Sequence, residues 1–260
     1  MRAMISLGPY EFTQTDALRT LGNLGDLWLT MMQGRSSSAA DALEQNLIRS
    51  ITEVMGAAPN ASLSELGTLG AQTLGDSPAL EGILASVWST LAAASQALRA
   101  DGQMPATATG AVTQLSSSKG GVPKLALESV DVSFRGVVGD AQKSRNHHGR
   151  PWQALCIYSD EVINQFRADG HPITRGSAGE NITMSGLDWA DIRPGVRLRI
   201  GAVLADVQAY ATPCKHNAQW FSDGDFNRMN YLRGAASRVY ATVIEPGRIV
   251  TGDAVILEPR

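Results

Sequence analysis

Val196-Arg197-Leu198-Arg199-Ile200-Gly201-Ala202-Val203-Leu204-Ala205-Asp206-Val207-Gln208-Ala209 reads as two β-prone runs, Val196–Ile200 and Val203–Ala209, with a glycine between them. The same texture recurs in Ala111–Leu115, Leu125–Phe134, Ala154–Tyr158, Arg238–Ile244 and Ala254–Leu257. Short strands punctuated by glycine and proline are what a barrel or a sandwich requires. Seven of them with few helices argue for a closed, mostly antiparallel barrel. One helix interrupts the series, beginning at Asp160 and running to Ala168, with Gly170 as its C-terminal cap. A second helical stretch is expected within Ala218–Leu232.

Upstream the sequence is of another kind. The first hundred residues are rich in Ala, Leu, Gly and Ser, with helical spacing in Leu43, Leu47, Ile51, Val54 and in Leu80, Ile83, Leu84, Val87, Leu91. Helices are expected near 13–33, 38–55, 62–74 and 78–100. Ser38 and Ser62 serve as N-caps, the second with Glu65 as a capping box, and Gly34 and Gly56 as stops. Trp28, Met31, Met32 and Trp88 are assigned to core rather than to a pocket. Asp101–Thr109 reads as a linker. The fold class is therefore α+β: a helical domain over 1–100, whose role is packing on its neighbour or self-association into a homo-oligomer, a linker over 101–109, and a barrel domain over 110–260.

A 260-residue chain with 43% hydrophobic residues can bury a full core. A formal charge of -3 offers no basic stripe for nucleic acid and no polybasic anchor for a membrane, so neither partner is expected. The start, Met1–Phe12, has no apolar stretch of signal-peptide length, no run is long enough to span a bilayer, and a cytoplasmic location is expected. There Cys156 and Cys214, the two cysteines, would both stay reduced.

Two stretches carry most of the chemistry. Gly179-Glu180-Asn181-Ile182-Thr183 puts a glycine hinge, a carboxylate, an amide and a hydroxyl ahead of a β-prone run. In an extended segment Asn181 and Thr183 project to one side, where both can touch a bound group, while Ile182 enters the core. Thr212-Pro213-Cys214-Lys215-His216-Asn217 is a turn carrying a thiol in a locally cationic setting, which favours the thiolate that attacks electrophiles or binds metals. Cys156, between Leu155 and Ile157, reads as a buried inert thiol. Lys119 and Lys124 flank a Gly-Gly turn, which either brings N–H groups and an ammonium to a phosphate or is a plain surface turn. Arg238 offers a guanidinium to a phosphate or carboxylate. Of the adjacent pair His147 and His148, at most one faces a site, to supply a proton or bind a ligand. Asp223 and Asp225 are assigned to capping.

Read together, several pieces resemble the MOSC domain, a family named after the C-terminal domain of molybdenum cofactor sulfurase. From about Gly110 to Glu258 they run in the family's order: Ser116–Lys124, Gly136–Asp140, His147-His148-Gly149-Arg150-Pro151, Gly179–Thr183, Pro213-Cys214, Ser237–Ala241 and Gly252-Asp253. The resemblance implies a β-barrel that binds a molybdopterin-type molybdenum cofactor or carries sulfur on its cysteine. It makes Cys214 the catalytic thiol and metal ligand, with His148 as a second catalytic residue. Ser118, Lys119, Lys124, Asn181, Thr183 and Arg238 become the cofactor-binding set.

Two functions follow from the resemblance. One is a molybdenum-dependent oxidoreductase acting on N-hydroxylated or N-oxide-like small molecules through a partner redox protein, since no flavin, haem or iron–sulfur motif is present. The other is a sulfur carrier or carbon–sulfur-bond enzyme, fed by a sulfur-donor partner, with Cys214 as persulfide or nucleophile without metal. Pyridoxal phosphate is not expected within this chain, because its first hundred residues contain no lysine for a Schiff base. A third reading keeps the barrel as an inactive binding scaffold.

Overall fold

The computed structural model describes residues 4–32, 37–58, 60–100, 104–142 and 148–258. The expected stop at Gly34, the start of the linker at Asp101–Gln103, and His147 lie outside the described residues. A hairpin that the sequence reading did not anticipate, β1 (Met4–Leu7) and β2 (Tyr10–Thr13), leads into α1 (Gln14–Gly22), α2 (Leu24–Met32), α3 (Ser38–Met55), α4 (Leu63–Thr73) and α5 (Ala79–Ala100). The single helix expected near 13–33 is two. Asn23 closes α1, its side-chain amide donating to Arg19 O at 2.8 Å and its N–H bonding back into the last turn. Ser38 is the first helical residue of α3, and the cap position is Ser37, whose side chain makes no capping bond. Ser62 makes the expected capping box, with Ser62 N–H donating to Glu65 Oε2 at 2.8 Å and Glu65 N–H to Ser62 Oγ at 3.3 Å. Gly56, at φ 61°, ends α3 in the left-handed region. α1 and α4 approach closely at Gly67, where a Cβ would stand 2.1 Å from Leu21 O.

The second half supplies β3 (Ala108–Ser117), β4 (Leu125–Leu127), β5 (Ser129–Ser133), β6 (Gly136–Val137), β7 (Leu155–Ser159), α6 (Asp160–Ala168), β8 (Ile182–Ser185), β9 (Arg197–Ile200), β10 (Val203–Tyr210), β11 (Val239–Glu245), β12 (Gly247–Val250) and β13 (Ala254–Glu258). Seven strands close a barrel in the order β13-β9-β10-β11-β7-β8-β3, with β13 pairing back onto β3. Every neighbouring pair is antiparallel except β7–β8, which are parallel because α6 provides the crossover between them. The α+β class and the barrel therefore stand as expected. β4 extends β3 at one edge, and β12-β5-β6 form a separate three-stranded sheet. The run Leu125–Phe134 is two strands, and Ala218–Leu232 is not an α-helix. Short 3-10 turns at Lys215–Trp220, Phe226–Met229 and Tyr231–Arg233 take its place. Asp225 caps the second of these, accepting from Asn227 N, as its assigned role requires.

β10 is buried along nearly its whole length rather than on alternate residues. A strand side chain points inward or outward in turn, so burial of both sets means that the outer face is covered. The helices cover it: Ala209 and Trp152 of the barrel half belong to the same apolar cluster as α1–α5. Trp152 stacks on Trp88 at 5.6 Å between ring centroids, and Tyr10 donates its O–H to Val243 O at 2.8 Å. Asp206 on β10 lies between Arg99 of α5, at 2.8 Å, and Arg197 of β9, at 2.7 Å. β3 begins at Ala108, inside the expected linker. Among the described residues no helix is long and apolar enough to cross a membrane.

Candidate functional site

At one mouth of the barrel the loops after β3, β6, α6 and β10 surround a cavity of about 750 Å³, lined among others by Lys124, His148, Cys156, Asn181, Cys214 and Arg238. Its charge set rests on a buried hydrogen-bond network. Asp140, reached through the tight turn after β6, accepts from Lys124 Nζ at 2.6 Å, from Asn181 Nδ2 at 3.0 Å and from Ser118 N–H at 2.8 Å. Lys124 and Asp140 are both nearly solvent-free, so the ammonium is balanced by its own carboxylate before any ligand arrives. Asn181 turns the rest of its amide to the barrel, bonding Ser116 O at 3.3 Å and accepting from Cys156 N–H at 3.3 Å. The network thus ties β7, β8 and the loop before β4 into one wall.

Arg238 is different. It is 4% exposed, donates through Nη1 to Ala178 O, and has no carboxylate within ion-pair distance among the described residues, while its Nε–H has no partner. A buried guanidinium with an unpartnered N–H is an unusual feature, and the residue lines the cavity. It also bears on Cys156, which lines the same cavity. Burial pushes the Cys156 thiol up, against the opposing pull of Arg238 and Lys124, so it stays a neutral thiol at neutral pH as expected of an inert cysteine. Cys214 follows Pro213 at the start of a 3-10 turn and is exposed. His148 Nδ1 lies 2.7 Å from the Tyr240 phenol oxygen, and burial raises that phenol above its ordinary range, leaving it protonated.

The structure brings Cys214, His148, Lys124, Asn181 and Arg238 to one cavity. It does not bring the other three residues named from sequence. Ser118 is half-buried and holds its own loop, bonding Gly121 O at 3.0 Å and accepting from Gly120 N–H at 3.2 Å. Lys119 is exposed, its Nζ 3.4 Å from Gly139 O. Thr183 is fully buried and donates to Glu180 Oε1 at 3.3 Å. The strand begins only at Ile182, so Asn181 lies ahead of the alternation expected for it and Thr183, and its amide reaches Asp140 while Thr183 reaches Glu180. Glu180, also fully buried, accepts from Gly176 N–H at 2.5 Å, and its other oxygen has no partner. Burial holds its carboxyl above the usual range.

Sequence reasoning did not select Asp140 or Tyr240 as site residues. Tyr240 stands two residues from Arg238 and lines the cavity with it, the period-two signal that a strand displays. Asp140 was quoted only as the end of the Gly136–Asp140 turn, without a role. No cluster of three or more His, Cys, Asp or Glu positioned to hold a metal ion occurs among the described residues.

Residues 144–256 match the family model of the MOSC domain. Over 136 residues the chain is 26% identical to an uncharacterized Bacillus subtilis protein, YflK, covering 51% of this chain and 60% of that protein's length. Among solved structures, it is similar to YuaD from Bacillus subtilis, at 18% identity and TM-score 0.47 over 60% of this chain and 98% of that one. It is likewise similar to YiiM from Geobacillus stearothermophilus, at 22% identity and TM-score 0.46 over 57% and 75%. The matched residues include His148, Asn181, Thr183, Cys214 and Arg238, and exclude Ser118, Lys119 and Lys124. The match places a MOSC domain at residues 144–256, within the barrel half of the chain.

Proposed function

We propose that this cavity binds a molybdopterin-type molybdenum cofactor, with Cys214 as a metal ligand, and that the protein reduces N-hydroxylated or N-oxide-like small molecules. The observation that carries this reading is the pairing, in one cavity, of an exposed soft thiol with a buried guanidinium that has no ion-pair partner among the described residues. Arg238, a cation on the cavity lining, suits the cofactor's phosphate, whereas Lys124 acts mainly by orienting Asp140 and Asn181. A thiolate at Cys214 is a soft ligand of the kind that a high-valent metal already bound to sulfur accepts. When bound, the cofactor supplies two-electron oxygen-atom chemistry, and a separate redox protein supplies the electrons. Tyr240 and His148, hydrogen-bonded on the cavity wall, can hold or pass a proton at the phenol oxygen or Nδ1. Elemental analysis of the full chain, made in a cofactor-competent host, tests the reading. Molybdenum in stoichiometric amount supports it. Molybdenum-free protein carrying a Cys214 persulfide replaces it with sulfur transfer.

A further inference from the structure

The lining of the cavity beside Cys214 is one-sided in charge. Its described residues include the cations Arg19, Lys124 and Arg238 and the imidazoles of His148 and His216, and no Asp or Glu. The chain as a whole carries a formal charge of -3, so this concave surface departs from the rest of the molecule. Lys124 is balanced by Asp140 at 2.6 Å, a carboxylate that does not itself line the cavity. Arg238 is the cation matched above to the cofactor's phosphate. Arg19 remains without an assigned role.

Arg19 stands in the last turn of α1 and is the one residue of the helical half, among those described, that lines this cavity. Its backbone is fixed there from two sides. Arg19 O accepts from Asn23 Nδ2 at 2.8 Å, at the end of the same helix, and from Arg150 Nη2 at 3.3 Å, in the barrel half. Arg150 in turn donates Nε–H to Thr20 Oγ1 at 2.9 Å and Nη1–H to Gln153 Oε1 at 2.8 Å, and Gln153 lines the same cavity. The end of α1 is thus fastened to the cavity wall, while the Arg19 side chain stays 42% exposed. Its described ion pair, with Asp16 Oδ1 of its own helix, is 3.8 Å long, at the outer limit of such a contact, and holds the guanidinium weakly. A carboxylate on a ligand can take that planar fork without breaking a buried bond.

We propose that Arg19 determines specificity by binding a carboxylate on the substrate, so that the N-hydroxylated or N-oxide-like molecule reduced here is an acid. The proposal rests on the functional reading for the reacting end of that molecule and adds the recognition of its other end. It also gives the helical half a part in the site.

The test uses a matched pair of probes, isonicotinate N-oxide and the uncharged 4-picoline N-oxide. Each is titrated calorimetrically into the full chain at fixed ionic strength, with the protein both cofactor-free and as purified from a cofactor-competent host. An exposed charge pair is worth up to about fivefold in affinity, so the native protein should favour the carboxylate probe by about that factor. The preference should shrink as salt is raised. Arg19→Gln should bring the two probes to equal affinity and Arg19→Lys should keep part of the preference, both with phosphate affinity unchanged. Arg238→Met should lose phosphate and keep the preference, because the carboxylate does not occupy the phosphate position. Equal affinities in the native protein, a preference that survives in Arg19→Gln or disappears in Arg238→Met, or failure of both probes to bind either form overturns the proposal. Its failure is separable from that of the functional reading, which molybdenum content decides. Stoichiometric molybdenum without a carboxylate preference keeps the oxidoreductase and removes the subsite, and molybdenum-free protein with an Arg19-dependent preference does the reverse.

Discussion

Replacing Arg238 by Met should remove anion binding and leave the fold. The side chain is buried on the cavity lining, donates to Ala178 O, hydrogen-bonds the Cys156 thiol and leaves its Nε–H without a partner. A hydrogen bond to a charged group is worth about 1.5–3 kcal/mol, so phosphate affinity should fall roughly 10- to 150-fold. Stability changes little, because two terms oppose. Ala178 O loses its donor, costing about 1–3 kcal/mol, while a buried charge with no partner carboxylate no longer has to be desolvated, which offsets much of that cost. Lys124→Met is the contrast. It strands the buried Asp140 carboxylate and should cost about 3–5 kcal/mol, the usual result of removing one partner of a buried pair. The assay is calorimetric titration with inorganic phosphate at fixed ionic strength, beside thermal unfolding of each variant. If Arg238→Met binds phosphate as the native protein does, or if Lys124→Met is the one that loses binding without losing stability, the division of labour between these two cations is wrong.

Two further outcomes follow from the packing. The Glu180 carboxyl is held above 4.5 by burial, so the unfolded chain ionises it more readily than the folded one; the stability it contributes is complete below about pH 4.5 and is lost as pH rises toward its folded value. Glu180→Gln should therefore gain in melting temperature relative to native protein as pH rises from 4.5 to 7, and a difference independent of pH would contradict the buried-acid account. Trp152→Ala should cost about 3–5 kcal/mol and, because that ring lies in the helical cluster while its backbone adjoins β7, should lower the unfolding midpoint of both halves together. Two separate transitions, with only one shifted, would mean that the halves are independent.

Helices were legible because their signals are local. The spacing of Leu43, Leu47, Ile51 and the Ser62–Glu65 box lie within a turn or two of the bonds they specify. Most barrel strands were legible for a similar reason, whereas β12, a four-residue strand of the separate sheet, was not among the runs named. The cavity was legible only in part. Cys214 and Arg238 advertise themselves by residue type and neighbours, but Asp140 became a site residue through Lys124, sixteen positions away, and Asn181, forty-one away. Such pairings depend on which loops the closed barrel brings to one mouth. Thr183 shows the converse, a polar residue in a suggestive motif that the strand turns inward to satisfy Glu180.

The central claim is that Cys214, and not the second thiol of the same cavity, holds the metal. Molybdenum should be measured in native protein, Cys214→Ser and Cys156→Ser, each purified from the same cofactor-competent host. Serine offers a hard, poorly ionised oxygen in place of a soft thiolate, so Cys214→Ser should lose its molybdenum while melting close to the native protein. Cys156→Ser should keep its molybdenum and lose about 1–3 kcal/mol of stability, through burying a hydroxyl where a thiol packs beside Ala211 and Tyr240. Full molybdenum content and full turnover in Cys214→Ser would contradict the account.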